Sequence, residues 1–370
     1  MTKNNKVCHL SSVHTVFDIR IFTKECTTLA DAGFDVIYVV PHDKDEIKNK
    51  IKIIHIEKVK GSRYKRMTGI VWKVYKAALS VKADIYHFHD PELIPIGLLL
   101  KIKGKKVIYD VHEDLPRDIL DKEWIGNIFL KMLFSWAASF MEWMGNIFFD
   151  GIITVTPTIA KRFSTSKTII IRNLPVVTDI DSIHPKSIEK NNFSVVYTGG
   201  LTRIRGIKQL IDAMQYTEKT ELWLLGEWET ELYRSECETS NGWAKTKYFG
   251  NLTQNEAFAY TKSADAGVVN FLPVPNHITS MPNKAFEYMA SSLPIIMSDF
   301  EYWKNIFATC ALFANPSDSK DIAEKINLLR NNSILKERLG KEGRKIIDND
   351  YSWESEKIKL IQYYEKILNN

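Results

Sequence analysis

The sequence predicts an α/β protein of two similar halves, each a largely parallel sheet covered by helices on both faces. Three observations predict it. Short apolar strands alternate with amphipathic helical stretches from residue 6 onward; the rhythm restarts near residue 194 after a polar, proline-bearing stretch; and a chain of 370 residues exceeds what one core usually organises. Such alternation calls for a parallel sheet buried on both faces, because each crossover helix has to lie against one of them. Ligands of such sheets sit beyond the carboxyl ends of the strands, so two facing sheets would place a cleft between the halves, where function is expected.

In the first half, residues 6–10 read as a strand, followed by a loop, a helix near residues 20–32, a stop at Gly33 and a strand over residues 35–40. Residues 51–56, 84–87, 106–110 and 151–155 add strands of the same kind. In the second half, strands are expected at residues 194–198, 221–225, 247–249, 266–269 and 294–297, with a helix from about Gly206. Residues 173–192 carry Pro175, Pro185 and mixed charges and read as a linker, which gives domains of residues 1–172 and 173–350. Residues 351–368 read as an amphipathic helix.

Composition narrows the function classes. Hydrophobic residues at 45% and charged residues at 26% are ordinary for a globular protein, and a net charge of +5 without a basic reading element argues against a nucleic-acid binder. Cys8, Cys26, Cys237 and Cys310 are widely spaced with no C-x-x-C pair, so they read as buried thiols in a reducing compartment. The first ten residues lack an apolar signal core, so the expected location is cytoplasmic. Residues 124–149 are apolar but interrupted by Lys131 and Glu142; they read as a pair of core helices or as an interfacial surface whose Trp124, Trp136 and Trp143 touch lipid, and make a poor membrane span. The basic run Lys58, Lys60, Arg63, Lys65 and Arg66 is either a solvated face or a surface for acidic headgroups.

Two segments carry candidate chemistry. In SMPNKAFEYMASSLPII, residues 280–296, Pro282 suits the first turn of a helix whose Phe286, Met289, Ala290 and Leu293 form a buried stripe. Lys284, Glu287 and Ser291 fall on another face, leaving Glu287 free for a ligand, and the helix start favours a phosphate. The same spacing also fits an ordinary amphipathic helix feeding a core strand. In YTGGLTRIRG, residues 197–206, a strand-to-helix turn holds Gly199, Gly200 and Gly206, which let backbone approach a phosphate, and Arg203 and Arg205, which supply bidentate donors. It is not the G-x-G-x-x-G fingerprint. His87 and His89, two apart on a strand with no clear third ligand, read as packing and loop hydrogen bonding rather than as a metal site. Asp179/Asp181 and Asp348/Asp350 follow no convincing buried strand.

Across nearly its whole length the chain resembles the retaining family-4 glycosyltransferases of bacterial surface-polysaccharide type, which have the GT-B fold of two facing Rossmann-like domains. The resemblance is carried, in order, by HLSSVHTVFDIRIFTKECTTLADAGFDVIYVV, YHFHDPELIPIGL, VIYDVHEDLP, GIITVTPTIAKRF, YTGGLTRIRGIKQLIDAM and the residue 280–296 segment. It implies a nucleotide-diphosphate sugar donor, a glycan acceptor of the membrane-lipid-linked kind, no cofactor and no essential metal. It implies catalytic roles for His112, which would contact the donor sugar, for Arg205 on the diphosphate and for Glu287 on the ribose. Gly199, Gly200, Arg203, Thr279, Ser280 and Met281 would complete the donor site, with Arg203 compensating for an arginine the family has where Gly200 stands. Thr279 stands where the family's first glutamate is expected, eight positions before Glu287. Asp18 and Arg20 would lie on the acceptor side, although Asp18 equally suits a helix cap. The terminal helix would cross back to the first domain. Peripheral contact with the cytoplasmic face of a membrane is a further implication. A non-catalytic nucleotide-sugar-binding subunit and a GT-B epimerase or phosphorylase are the rival readings.

Overall fold

A computed structural model describes residues 5–57, 63–121 and 125–369. The chain divides into two compact units, one of Met1–Asn173 with Glu356–Asn370 and one of Leu174–Ser355.

The first unit holds an eight-stranded sheet: β1 (Lys6–Leu10), β2 (Asp35–Pro41), β3 (Glu46–Lys48), β4 (Ile51–Ile56), β5 (Ile85–Phe88), β6 (Lys106–Val111), β7 (Gly151–Thr154) and β8 (Thr168–Ile170), in the order β3-β4-β2-β1-β5-β6-β7-β8. Only the β3–β4 pair is antiparallel. The central strands are buried on both faces, as expected where helices cover both sides. Two edge strands escaped the pattern. β3 is a short charged segment joined to β4 through Asn49 and Lys50, both at positive φ, and β8 is only three half-buried residues. Neither buries enough to leave a periodic trace.

The helix near residue 20 begins with a widened turn pattern over Ile19–Cys26 and continues as Thr27–Asp31. Gly33, at φ +94, then turns the chain into β2. At the far end, the helix Trp353–Asn369 returns to this unit: the Tyr363 hydroxyl accepts from the Ile152 N–H, and Lys106 donates to the Ile367 and Leu368 carbonyls. The expected pair of core helices in residues 124–149 is instead, among the described residues, one helix, Ile128–Phe148, with an exposed apolar face. Trp124 and the side chains of the basic run at residues 58–66 lie outside the described residues.

The second unit is a six-stranded, all-parallel sheet: β9 (Phe193–Thr198), β10 (Thr220–Leu225), β11 (Thr246–Tyr248), β12 (Ala266–Val269), β13 (Ile295–Ser298) and β14 (Ala311–Ala314), in the order β11-β10-β9-β12-β13-β14. β14 was not foreseen, because ALFA is only four residues long and its Leu312 and Phe313 are half-buried. The expected linker is partly structure of this unit. It contains the helix Val177–Ser182, whose Val177 and Ile180 enter the core and whose first N–H groups donate to Glu354.

In each sheet the order reverses beside the first strand. The chain steps outward on one side of β1 and then crosses to β5; it steps outward on one side of β9 and then crosses to β12. These reversals leave a crevice beyond the carboxyl ends of adjacent strands, the place where open parallel sheets bind ligands.

Candidate functional site

At the β9/β12 reversal the strand end is splayed. Only Val195 and Val196 of β9 pair with β12, and the Thr198 N–H instead donates to the Tyr288 hydroxyl at 2.9 Å. Tyr288 belongs to the helix Asn283–Ala290 and packs its ring over Gly267, where a Cβ would come within 2.4 Å of it. The helix is thereby tied to the tip of β9. Pro282 sits just ahead of it, with Ala285, Phe286, Tyr288, Met289 and Ala290 buried and Lys284 and Glu287 partly exposed.

The glycine turn follows the strand tip. Gly199, at φ +134, lies so close to Gly226, at φ +148, that a Cβ on Gly226 would meet the Gly199 carbonyl oxygen at 1.9 Å. Gly206, at φ +63, faces Asn270, whose amide donates to the Gly206 and Pro316 carbonyls. Glycine is required by both the dihedrals and the space. A Cβ on Gly199 would stand 3.6 Å from Lys284 Cε and 3.6 Å from the Tyr197 hydroxyl. The guanidinium of Arg205 lies 4.5 Å over the Phe271 ring, and Phe271 in turn packs on His277. Burial raises the Tyr197 hydroxyl to about 12 against the opposing charge of Arg205. Glycine backbone, two cations and a carboxylate therefore gather around one strand end.

Within that group, the expected residues fare differently. Gly199, Gly200 and Arg205 lie on the turn. Glu287 is not free: its Oε2 accepts from Lys284 Nζ at 2.7 Å. Arg203 points elsewhere, making bonds of 2.9 and 2.7 Å to Glu236 and lying 4.5 Å over the Tyr233 ring. Its guanidinium is held by Glu236 in the absence of a ligand. Thr279 is exposed at the end of the short helix Pro275–Ile278, Ser280 gives its carbonyl to the Trp303 indole at 2.8 Å, and Met281 packs against the core. Lys284 was placed on the right face by its spacing but given no role.

The β1/β5 reversal in the first unit holds a second polar cluster. The Asp90 carboxylate accepts from the Ser11 hydroxyl at 2.8 Å and the Ser12 N–H at 2.6 Å, and His14 Nε2 lies 3.3 Å away. Asp18 caps the following helix through the Arg20 and Ile21 N–H groups and faces His14 at 3.5 Å. Burial opposes its charge, yet the His14 hydrogen bond and the backbone donors bring it down to about 2. Burial likewise works against the His14 imidazolium, but the Asp18 bond and the Asp90 charge raise its pKa. His14 and His112 rings stand 5.7 Å apart. His112 Nε2 lies 3.2 Å from Asp110, outside hydrogen-bond geometry, and burial holds the ring neutral, down to about 3.

Arg20, expected on the acceptor side, is 4% exposed. Its guanidinium makes bonds of 3.0 and 2.9 Å to Asp110, donates to the Ile171 carbonyl and lies 3.2 Å from Glu25. Burial works against both carboxylates; Arg20 holds Asp110 well below the usual range, whereas burial and the Asp110 charge push Glu25 well above it. One arginine thus supports an ionised Asp110 beside a neutral Glu25. Below them His9, His87 and His89 form a buried string: His9 to His89 at 2.9 Å, His87 to the Tyr364 hydroxyl at 2.6 Å, and His89 to Asp110 at 3.2 Å. His9 is the register partner of His87 across the β1–β5 pair, which the sequence could show only once that pairing was known. Donor atoms of His9, Glu25, His87 and His89 lie within 4.8 Å of one another, as do those of His89, Asp110 and His112. His9 and Glu25 thus lie within ligand distance of the histidine pair, where the sequence had shown no clear third group, but the Arg20 charge already occupies the ground beside Glu25.

Two α/β units, each with its polar cluster at a strand-order reversal, match over nearly the whole chain solved structures of the GT-B class of glycosyltransferase architecture. Comparison with known proteins agrees. The first unit matches the sequence model of Glycosyltransferase Family 4 over residues 22–173, and the second that of Glycosyl transferases group 1 over residues 179–346. The chain thus joins a Glycosyltransferase Family 4 domain to a Glycosyl transferases group 1 domain. It is 26% identical over 173 residues, 44% of its length, to the capsular polysaccharide biosynthesis glycosyltransferase CapM of Staphylococcus aureus; that match spans only 43% of CapM. Sucrose-phosphate synthase from Thermosynechococcus elongatus superposes with a TM-score of 0.79 at 17% identity, covering 99% of each chain. Anabaena HepE in complex with UDP-glucose does so with a TM-score of 0.73 at 13% identity, covering 98% of this chain and 99% of that one.

Proposed function

We propose that the protein is a retaining glycosyltransferase that moves a sugar from a nucleotide-diphosphate donor to a lipid-linked glycan during surface-polysaccharide synthesis, without an essential metal. The observation that carries the donor assignment is the convergence of the Gly199–Gly200 turn, Arg205, Lys284 and Glu287 at the β9/β12 reversal. UDP-glucose in HepE and the capsular role named for CapM support the donor and product classes.

Arg205, Lys284 and the start of the Asn283–Ala290 helix offer positive charge and N–H groups to a diphosphate, and charge that develops on the leaving group is stabilised most by donors already in place. When Lys284 turns to phosphate, Glu287 is released for the ribose hydroxyls. Neutral His112 can exchange hydrogen bonds with a sugar hydroxyl. In the family's front-face displacement, the bond from the anomeric carbon to the diphosphate oxygen breaks as the acceptor oxygen bonds on the same face, and the acceptor proton passes to the departing diphosphate. No carboxylate nucleophile is then needed, which accommodates Thr279.

The test is incubation of the purified chain with a panel of nucleotide sugars, with and without bacterial membranes. Nucleoside diphosphate release together with a product of unchanged anomeric configuration is expected. Binding without turnover for every donor would replace transfer by a binding subunit, and an isomerised free nucleotide sugar would replace it by an epimerase.

A further inference from the structure

The strand β12 ends at Val269, and the residues after it are fastened to the glycine turn. The Asn270 amide donates to the Gly206 carbonyl at 3.1 Å, and the Leu272 N–H donates to the Ile204 carbonyl at 2.9 Å. The chain then folds into the short helix Pro275–Ile278, which carries His277 back beside Phe271, with ring centroids 4.6 Å apart. Phe271 is shared: the Arg205 guanidinium stands 4.5 Å over its ring, and Trp303 packs on it at 5.6 Å. His277 Nδ1 lies 3.1 Å from the Leu272 carbonyl oxygen. A carbonyl oxygen only accepts, so Nδ1 carries the ring proton and Nε2 keeps a lone pair. Burial lowers the pKa of the ring, the Leu272 bond works the other way, and the Arg205 charge lowers it further. His277 is half-buried, and Nε2 bonds to nothing among the described residues. A neutral acceptor of fixed tautomer therefore sits beside Arg205 with no partner of its own.

We propose that His277 Nε2 accepts a hydrogen bond from a hydroxyl of the transferred sugar, and that it selects a donor whose sugar carries that hydroxyl. This role rests on the donor reading of the β9/β12 reversal. Arg205, Lys284 and the first N–H groups of the helix Asn283–Ala290 only donate, which suits the oxygens of a diphosphate and offers nothing to a hydroxyl proton. Glu287, the acceptor tied to Lys284 at 2.7 Å, is the one assigned to the ribose. A sugar bonded to the diphosphate lies next to the cations that hold it, and His277 is the acceptor built against one of them. Packing on Phe271 would be served by any flat ring; the Leu272 bond goes further and fixes which nitrogen is left to accept. A site that presents an acceptor to a substrate hydroxyl rejects the analogue lacking it, because the acceptor is then left unpaired.

The full chain is titrated calorimetrically with UDP and GDP, and with UDP-glucose, UDP-galactose, UDP-N-acetylglucosamine and GDP-mannose. The wild type is expected to bind at least one of these nucleotide sugars. His277→Phe keeps a ring on Phe271 and removes the acceptor. It should hold the bare diphosphate within about 2-fold of wild type and the nucleotide sugar about 3- to 10-fold more weakly. His277→Gln, which returns an acceptor oxygen, should recover part of that loss. Deoxy forms of the bound sugar, one hydroxyl removed at a time, should show the loss at one position in the wild type and no further loss at that position in His277→Phe. If His277→Phe bound every nucleotide sugar as tightly as wild type, or lost the bare diphosphate to the same extent, the proposal would be overturned while the donor reading stood. So would it be by a wild type that holds UDP or GDP but none of the four nucleotide sugars. A wild type that binds neither bare diphosphate nor any nucleotide sugar would remove the donor reading, and this role with it.

Discussion

Arg20→Met tests whether the arginine near the first strand serves the fold or a ligand. The guanidinium supplies two hydrogen bonds to Asp110, one to the Ile171 carbonyl, and the cation nearest Glu25. Asp110 and Glu25 are both fully buried, and His89 and His112 cannot replace the charge because burial keeps both rings neutral. Removing one partner of a buried ion pair costs about 3–5 kcal/mol, against a total stability of about 5–15 kcal/mol. With a urea dependence of about 2 kcal/mol per molar, the first unit's unfolding midpoint should fall by about 2 M. The two units unfold separately in principle, so far-UV circular dichroism is followed for two transitions rather than fitted to one. Arg20→Met with Asp110→Asn should recover at least about 1 kcal/mol of the loss, because the uncompensated charge is gone. If Arg20→Met kept its midpoint within about 0.5 M of wild type while the KM for acceptor rose, the arginine would face a ligand and this packing argument would be refuted.

Four other outcomes are expected. Arg205→Ala should weaken donor binding about 10- to 100-fold by calorimetry, the value of a charge-assisted phosphate contact, whereas Arg203→Ala should change it less than about 3-fold, given its bond to Glu236. Glu287→Ala should weaken a nucleotide bearing ribose more than a 2′,3′-dideoxy analogue; equal losses would remove the ribose assignment. Glu142 is lifted to about 7, chiefly by burial, from the usual 4.5, so the folded state keeps its proton while the unfolded state releases it. Stability should therefore fall as pH rises from about 4.5 to about 7, by on the order of 3 kcal/mol, and Glu142→Gln should flatten that part of the denaturation-midpoint profile. EDTA should leave turnover unchanged; a loss restored by zinc or manganese would assign the His9, Glu25, His87 and His89 cluster as a metal centre.

The parts of this fold that left a trace in the sequence are those in which burial follows a simple period. Central strands such as β1 and β9 are mostly apolar and buried along nearly their whole length, and Gly33 and Gly206 mark turns that only positive φ allows. Edge strands β3, β8 and β14 left none, because short partly exposed pairs need no period. The helix Asn283–Ala290 was legible through its stripe, but the direction of its polar side was not: Lys284 and Glu287 meet because they are three apart, and Lys284 meets the glycine turn only because Tyr288 fastens the helix to β9. The buried polar string was the least legible, because register and a returning helix bring His9, His87 and Tyr364 together from distant parts of the chain.

The same distinction separates the two strand-order reversals. At the β9/β12 reversal the chemistry rests on backbone: Gly199, Gly206 and Gly226 are dictated by dihedrals and by contacts as close as 1.9 Å for an added Cβ, so a local motif carries the geometry with it. At the β1/β5 reversal it rests on side chains that share protons and charge, and there a residue's type does not fix its direction. Asp18 spends its oxygens on helix N–H groups and His14, while Arg20, two positions later, turns inward to Asp110. What reaches the surface there is His14, with a raised pKa, and His112, held neutral. If this crevice receives an acceptor, the His14 ring, and not the buried Arg20, is a group that a sugar hydroxyl meets. His14→Phe should then raise the acceptor KM and leave donor binding unchanged. A change confined to donor binding would move His14 out of the acceptor site.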